Sequence, residues 1–131
     1  MRVERVAWVG TRTDQFTETT RFFRDLLGLS TVHEESDFAI LQLPSGDRDF
    51  LEIFGADAEG KEFEAEHYVN GPVPGFLVAD LAGAREELAA AGVELLDEIS
   101  WPKSLPGYGW FHFRGPDGNV YAMLQGSRAT S

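Results

Sequence analysis

The chain contains no cysteine, which removes disulfides, thiolate metal sites and cysteine nucleophiles and leaves the redox compartment open. It is also poor in positive charge. Its 11 lysines and arginines stand against 22 aspartates and glutamates, for a formal net charge of −11. Nucleic-acid binding needs a basic face for the phosphates, so that class of partner is excluded. No apolar run approaches the roughly 20 residues that span a bilayer. The opening Met1-Arg2-Val3-Glu4-Arg5 is not followed by an apolar signal core. A cytoplasmic protein without a membrane partner is the expectation. Histidine is scarce, with only His33, His67 and His112, and no pair has a close ligand spacing such as i, i+2 or i, i+4. No glycine-, proline- or serine-rich stretch is long enough to be a linker, so the 131 residues are expected to form one domain.

What is present is an approximate repeat. A half from about Val3 to Phe54 reads strand, helix, strand, strand, strand, and a half from about Val73 to Gln125 reads the same way. Residues 55–72 form an acidic connector, Asp57 to Glu66 being its densest part, and residues 126–131 form a tail. That acid run is read as a solvated segment. Each helix stops at a glycine, Gly28 and Gly92, a residue suited to the left-handed position that closes a helix. Each half then has a turn between strands, at Pro44-Ser45-Gly46-Asp47 and at Gly115-Pro116-Asp117-Gly118-Asn119.

Helices are predicted from about Gln15 to Leu27, with Thr13-Asp14 as the N-cap and Phe22, Phe23, Leu26 and Leu27 on the core face, and after Asp80, with Leu81, Ala84, Leu88 and Ala91 as the apolar stripe. Strands are predicted near 3–13, 30–34, 38–43, 49–54, 73–78, 93–99, 109–114 and 120–125. Strand alternation assigns sides. Leu51, Ile53, Phe76, Val78, Tyr121 and Met123 suit the helix side, which leaves Phe50, Glu52, Phe54, Val73, Gly75, Leu77, Val120, Ala122 and Leu124 for the other face.

The segments Phe22-Phe23-Arg24-Asp25-Leu26-Leu27-Gly28-Leu29, Gly75-Phe76-Leu77-Val78-Ala79-Asp80-Leu81 and Phe113-Arg114-Gly115-Pro116-Asp117-Gly118-Asn119-Val120-Tyr121 resemble the vicinal oxygen chelate superfamily. That family includes glyoxalases, extradiol dioxygenases and bleomycin-resistance proteins. The resemblance implies an α+β fold: two βαβββ modules forming a cup-shaped curved mixed sheet with helices on the outer face, usually in a homodimer. It also implies a divalent metal held in the cup by His, Gln or Glu from four strands. Carried over residue by residue, those ligand positions fall on Trp8, Glu52, Val73 (or Pro74) and Ala122. Indole, valine and alanine side chains donate no lone pair to such a cation, so no metal and no cofactor are expected.

The resemblance therefore implies an apolar, partly aromatic cup. Its candidate ligand-binding residues are Trp8, Phe50, Glu52, Phe54, Val73, Leu77, Trp101, Tyr108, Trp110, His112 and Ala122. Trp101, Tyr108 and Trp110 belong to a long connection expected at the cup mouth, or alternatively at a dimer contact. Glu52, a carboxylate among aromatics, is read as a ligand anchor or as a general acid/base, since desolvation raises a carboxyl pKa. The alternative for Trp8 is a plug that merely fills the cup. The leading functional reading is a metal-free binding protein that sequesters a hydrophobic or aromatic compound, in the manner of bleomycin resistance, with the acidic balance suiting a cationic one. The alternative is an enzyme of the same fold, either a metal-independent isomerase, cyclase or lyase using Glu52, or a metalloenzyme if the ligand register differs.

Overall fold

Two stretches of alternating apolar residues, each broken by a helix, give the molecule its two βαβββ modules, an α+β fold. The computed structural model describes residues 1–44, 49–58 and 65–127. Most of the first predicted turn (Ser45 to Asp47), positions 59–64 of the acidic connector and positions 128–131 of the tail lie outside the described residues. The chain divides into two compact units, Trp8–Val73 and Met1–Ala7 with Pro74–Ser131.

The Trp8–Val73 unit contains most of β1 (Arg5–Thr13), α1 (Phe16–Arg21), β2 (Ser30–Glu34), β3 (Phe38–Gln42) and β4 (Phe50–Gly55). Its strands lie in the order β2-β3-β4-β1, with β1 and β4 parallel and the other neighbours antiparallel. The helix is shorter than the pattern implies. After Arg21 the chain continues as a π-helical turn, Phe22–Leu26. Phe16, Thr20 and Phe23 form the inward face, and across the wider turn Phe22, Leu26 and Leu27 are exposed. The expected core stripe is thus corrected. The N-cap is Gln15, not Asp14, and Thr13 instead accepts a hydrogen bond from the Gln15 N–H at 3.0 Å. Phe16 and Phe23 pack with Val9, Leu29, Leu41, Leu51 and Ile53, the core of this unit.

The other unit holds β5 (Val73–Leu77, apart from its first residue), α2 (Leu81–Ala90), β6 (Glu94–Leu95), β7 (Gly109–Arg114) and β8 (Val120–Gln125). Its strands run in the order β5-β8-β7-β6. Asp80 caps α2 as expected, its Oδ1 accepting from the Gly83 N–H at 3.1 Å. Leu81 and Ala84 are buried with Val78, Phe111 and Met123, and Leu88 packs against them, but Ala91 lies past the helix and is exposed. Gly28 and Gly92 take φ of 78° and 82° at the two helix ends, the conformation that closes a helix. The strand predicted over 93–99 is regular only at Glu94–Leu95, with the Leu96 N–H still donating to the His112 carbonyl at 2.9 Å. Among the described residues, no helix is long and apolar enough to cross a membrane.

Candidate functional site

In the Trp8–Val73 unit, the parallel register of β1 and β4 sets Trp8 opposite Phe50, Gly10 opposite Glu52 and Arg12 opposite Phe54. The intervening Val9, Leu51 and Ile53 belong to the helix-side core. Trp8, Gly10, Arg12, Phe50, Glu52 and Phe54 therefore share the face away from the helix. β3 adds Phe38, paired with Phe54, and Ile40, paired with Glu52. Phe38 stacks on Phe54 with ring centroids 5.3 Å apart and planes 8° from parallel.

A residue not foreseen from the sequence completes this face. The 3-10 turn Ala65–Tyr68 carries Tyr68, whose ring meets Phe54 edge-on at 5.5 Å. A Cβ at Gly10 would sit 3.0 Å from the Tyr68 hydroxyl oxygen, 3.3 Å from Phe54 and 3.4 Å from Trp8. Any side chain at position 10 would make these three rings give by a few tenths of an ångström, so glycine lets them converge there unstrained. Burial, and after it the Glu52 carboxylate, push the Tyr68 phenol well above its usual range, and Arg12 partly opposes them. Tyr68 is consequently a neutral donor at any ordinary pH. Arg12 donates to the Ala56 carbonyl. Glu52 is 3% exposed and Trp8 6%. His67, on the same 3-10 turn, is buried, whereas His33 is exposed and hydrogen-bonded to Glu35 at 2.7 Å. Val73 closes this unit, buried.

In the second unit, Leu77 pairs with Leu124, which pairs with Trp110, and His112 pairs with Ala122, which pairs with Gly75. These residues alternate with Phe76, Phe111 and Met123 of the helix-side core, so they too share the opposite face. Tyr108 and Trp110, expected at the cup mouth or at a dimer contact, are buried in the chain itself and pack against each other with centroids 5.4 Å apart. They sit at or beside the start of β7, where the strand ladder draws them in. Only Trp101 of that set is open to solvent, at 48% exposure, lying over Gly109.

Asp97 is the second residue the sequence reading missed. Its Oδ1 accepts from the His112 backbone N–H at 2.6 Å, and its Oδ2 lies 2.7 Å from His112 Nδ1. His112 is 1% exposed. A carboxylate at Nδ1 fixes that nitrogen as the donor, which makes Nε2 the acceptor of the neutral ring. The signal was faint: an aspartate in a stretch predicted as regular strand, with nothing in its spacing to pair it with His112. Arg85 steadies the segment by donating to the Asp97 carbonyl at 2.9 Å.

The family-type metal does not fit these residues. Of the four positions, only Glu52 offers a donor atom, because Trp8, Val73 and Ala122 have none for a cation. No step is derived through such a metal.

Residues 5–123 match the family model described as the Glyoxalase/Bleomycin resistance protein/Dioxygenase superfamily. The chain belongs to that superfamily. Among solved structures, it resembles an Mn(II)-bound glyoxalase from Novosphingobium aromaticivorans at 20% identity and TM-score 0.73, covering 99% of this chain and 43% of that one. It thus spans less than half of the glyoxalase. Methylmalonyl-CoA epimerase from Streptomyces coelicolor matches at 19% identity and TM-score 0.72, covering 98% of this chain and all (100%) of the other. The epimerase from Mycobacterium tuberculosis matches at 20% and 0.72, covering 95% and 89%. At these identities the likeness is one of fold. No curated protein matches the sequence.

Proposed function

We propose that this chain is a small-molecule binding protein of its superfamily, taking a planar hydrophobic or aromatic compound on the ring-lined face of the Trp8–Val73 unit. The observation that carries the reading is Glu52, a 3% exposed carboxylate on the same face as Phe50, Phe54 and Trp8. Sites for small organic ligands combine apolar and aromatic walls with a few polar groups, and this face has that make-up. Glu52 supplies the polar anchor, and its charge, with the −11 of the whole chain, favours a donor-rich or cationic ligand. Sequestration of a drug-like compound, as the bleomycin-resistance part of the family name suggests, is one use of such a site. Self-association as a homodimer belongs to the same proposal.

Tryptophan fluorescence during titration with benzamidine, a flat aromatic cation, tests it. Saturable quenching that weakens at least tenfold in Glu52→Gln is expected. Saturable binding that Glu52→Gln leaves unchanged removes Glu52 from the site.

A second reading, an acid–base enzyme, rests on a separate observation: Asp97 holds His112 as an oriented base. Glu52 is the alternative proton carrier. Solvent-deuterium incorporation into the methyl group of acetophenone, lost in His112→Gln but retained in Glu52→Gln, would select His112. The reverse pattern selects Glu52.

A further inference from the structure

Among the described residues, Trp8 Nε1 is one of five buried side-chain polar atoms without a hydrogen-bond partner, and with Glu52 Oε2 it belongs to the strand face proposed to bind ligand. Trp8 is buried, yet its indole Nε1–H meets no acceptor among the described residues. Indole nitrogen is a donor only, and a buried donor without an acceptor is costly and rare in native proteins. Packing alone does not require it. A phenylalanine would offer a ring to the same face without the polar atom.

The way the indole lies shows which edge is left over. Its six-membered ring, through Cζ3, rests against Gly10 near Phe54 and the Tyr68 hydroxyl. The N–H is on the opposite corner of the indole, turned away from that contact. Phe50, the cross-strand neighbour of Trp8, offers no acceptor in its side chain.

We infer that Trp8 is a recognition residue, and that the ligand carries a neutral carbonyl oxygen which accepts the Nε1–H hydrogen bond. The inference rests on the binding reading above and narrows it to aryl ketones, aromatic amides and similar carbonyl-bearing rings. A carboxylate would also accept from indole. However, it would enter a face that already holds Glu52, in a chain of formal charge −11, and like charges repel. A neutral acceptor satisfies the indole without that cost. A second group on the ligand, a donor, is then free to face Glu52.

Acetophenone and ethylbenzene have nearly the same shape and differ in one carbonyl oxygen, so they serve as the probes. The full chain, labelled with 15N at tryptophan, shows the Trp8 indole N–H as its own resonance. Acetophenone is expected to bind about tenfold more tightly than ethylbenzene, the size of effect one such hydrogen bond gives. It should move the Trp8 indole proton downfield, and ethylbenzene should not. In Trp8→Phe the two affinities should converge. If that variant fails to fold, the indole shift in the wild type decides alone. Equal affinities with an unmoved Trp8 indole proton overturn the inference while the binding reading stands, the donor then being met by water. If neither probe perturbs the Trp8 indole up to its solubility limit, the inference falls, and the benzamidine titration decides the binding reading separately.

Discussion

At the scale of single residues, burial changes what a mutation at Trp8 measures. The indole is 6% exposed, so Trp8→Ala removes packing along with any ligand contact. Large-to-alanine changes of this kind cost about 3–5 kcal/mol. Chemical denaturation should therefore show a stability loss of that size, far above the ~1 kcal/mol of a ring contact with a ligand alone. A loss under about 1 kcal/mol would mean that Trp8 faces open space. Asp117 offers a different residue-level test. The Tyr121 hydroxyl donates to its Oδ2 at 2.6 Å and the Asn119 N–H to its Oδ1 at 3.0 Å. These bonds, Tyr121's first, hold the Asp117 carboxyl below its usual range. A depressed carboxyl stabilises the fold at pH values above its unfolded pKa of about 3.9, and that contribution is lost as pH falls through the lower folded value. Wild type should thus melt above Asp117→Asn at pH 7, and the gap should close as pH drops below about 4. A gap that stays constant to pH 2 would show that the turn is held by something other than this carboxylate.

At the scale of elements, the second helix is the one whose design was plain. Asp80 followed by an apolar stripe announces a capped helix, and the Gly83 N–H to Asp80 bond realises it. Replacing Asp80 with Ala should cost about 1 kcal/mol, with Asp80→Asn retaining most of it. Equal melting of Asp80→Ala and wild type would mean that the Leu81 N–H to Gln125 bond at 2.9 Å already secures that end. The first helix was legible only in outline. A regular 3.6-residue period predicts Phe22, Leu26 and Leu27 inward, and the π-helical turn at Phe22–Leu26 breaks that period. No local residue pattern announces the wider turn. Strand sidedness, by contrast, was readable throughout, because a period of two leaves Leu51 and Ile53 on the core side and Phe50, Glu52 and Phe54 on the other. The candidate site was half legible for a related reason. Residues on predicted strands inherit a face from the alternation, whereas Tyr68 and Asp97 stand on irregular segments, where the sequence gives no such rule. The burial of Tyr108 and Trp110 was not legible, because a loop rich in aromatics resembles a surface patch until its strand partners are known.

At the scale of the whole molecule, the acidic balance and the missing family ligands point the same way. A formal charge of −11 favours cationic compounds over anionic ones, and salt should weaken that preference by screening the exposed part of the charge. The homodimer is tested by light scattering at micromolar concentration, where twice the 14.5 kDa chain mass is expected and the single-chain mass would remove it. In the proposed function, Glu52 serves an organic ligand where the superfamily implies a metal. The most direct test of this is a pair of calorimetric titrations, benzamidine and Ni2+, each on wild type and on Glu52→Gln. The substitution is expected to weaken benzamidine at least tenfold and to leave the response to Ni2+ the same in both proteins. A Ni2+ response lost in Glu52→Gln, with benzamidine binding unchanged, would contradict the proposal and return Glu52 to a metal.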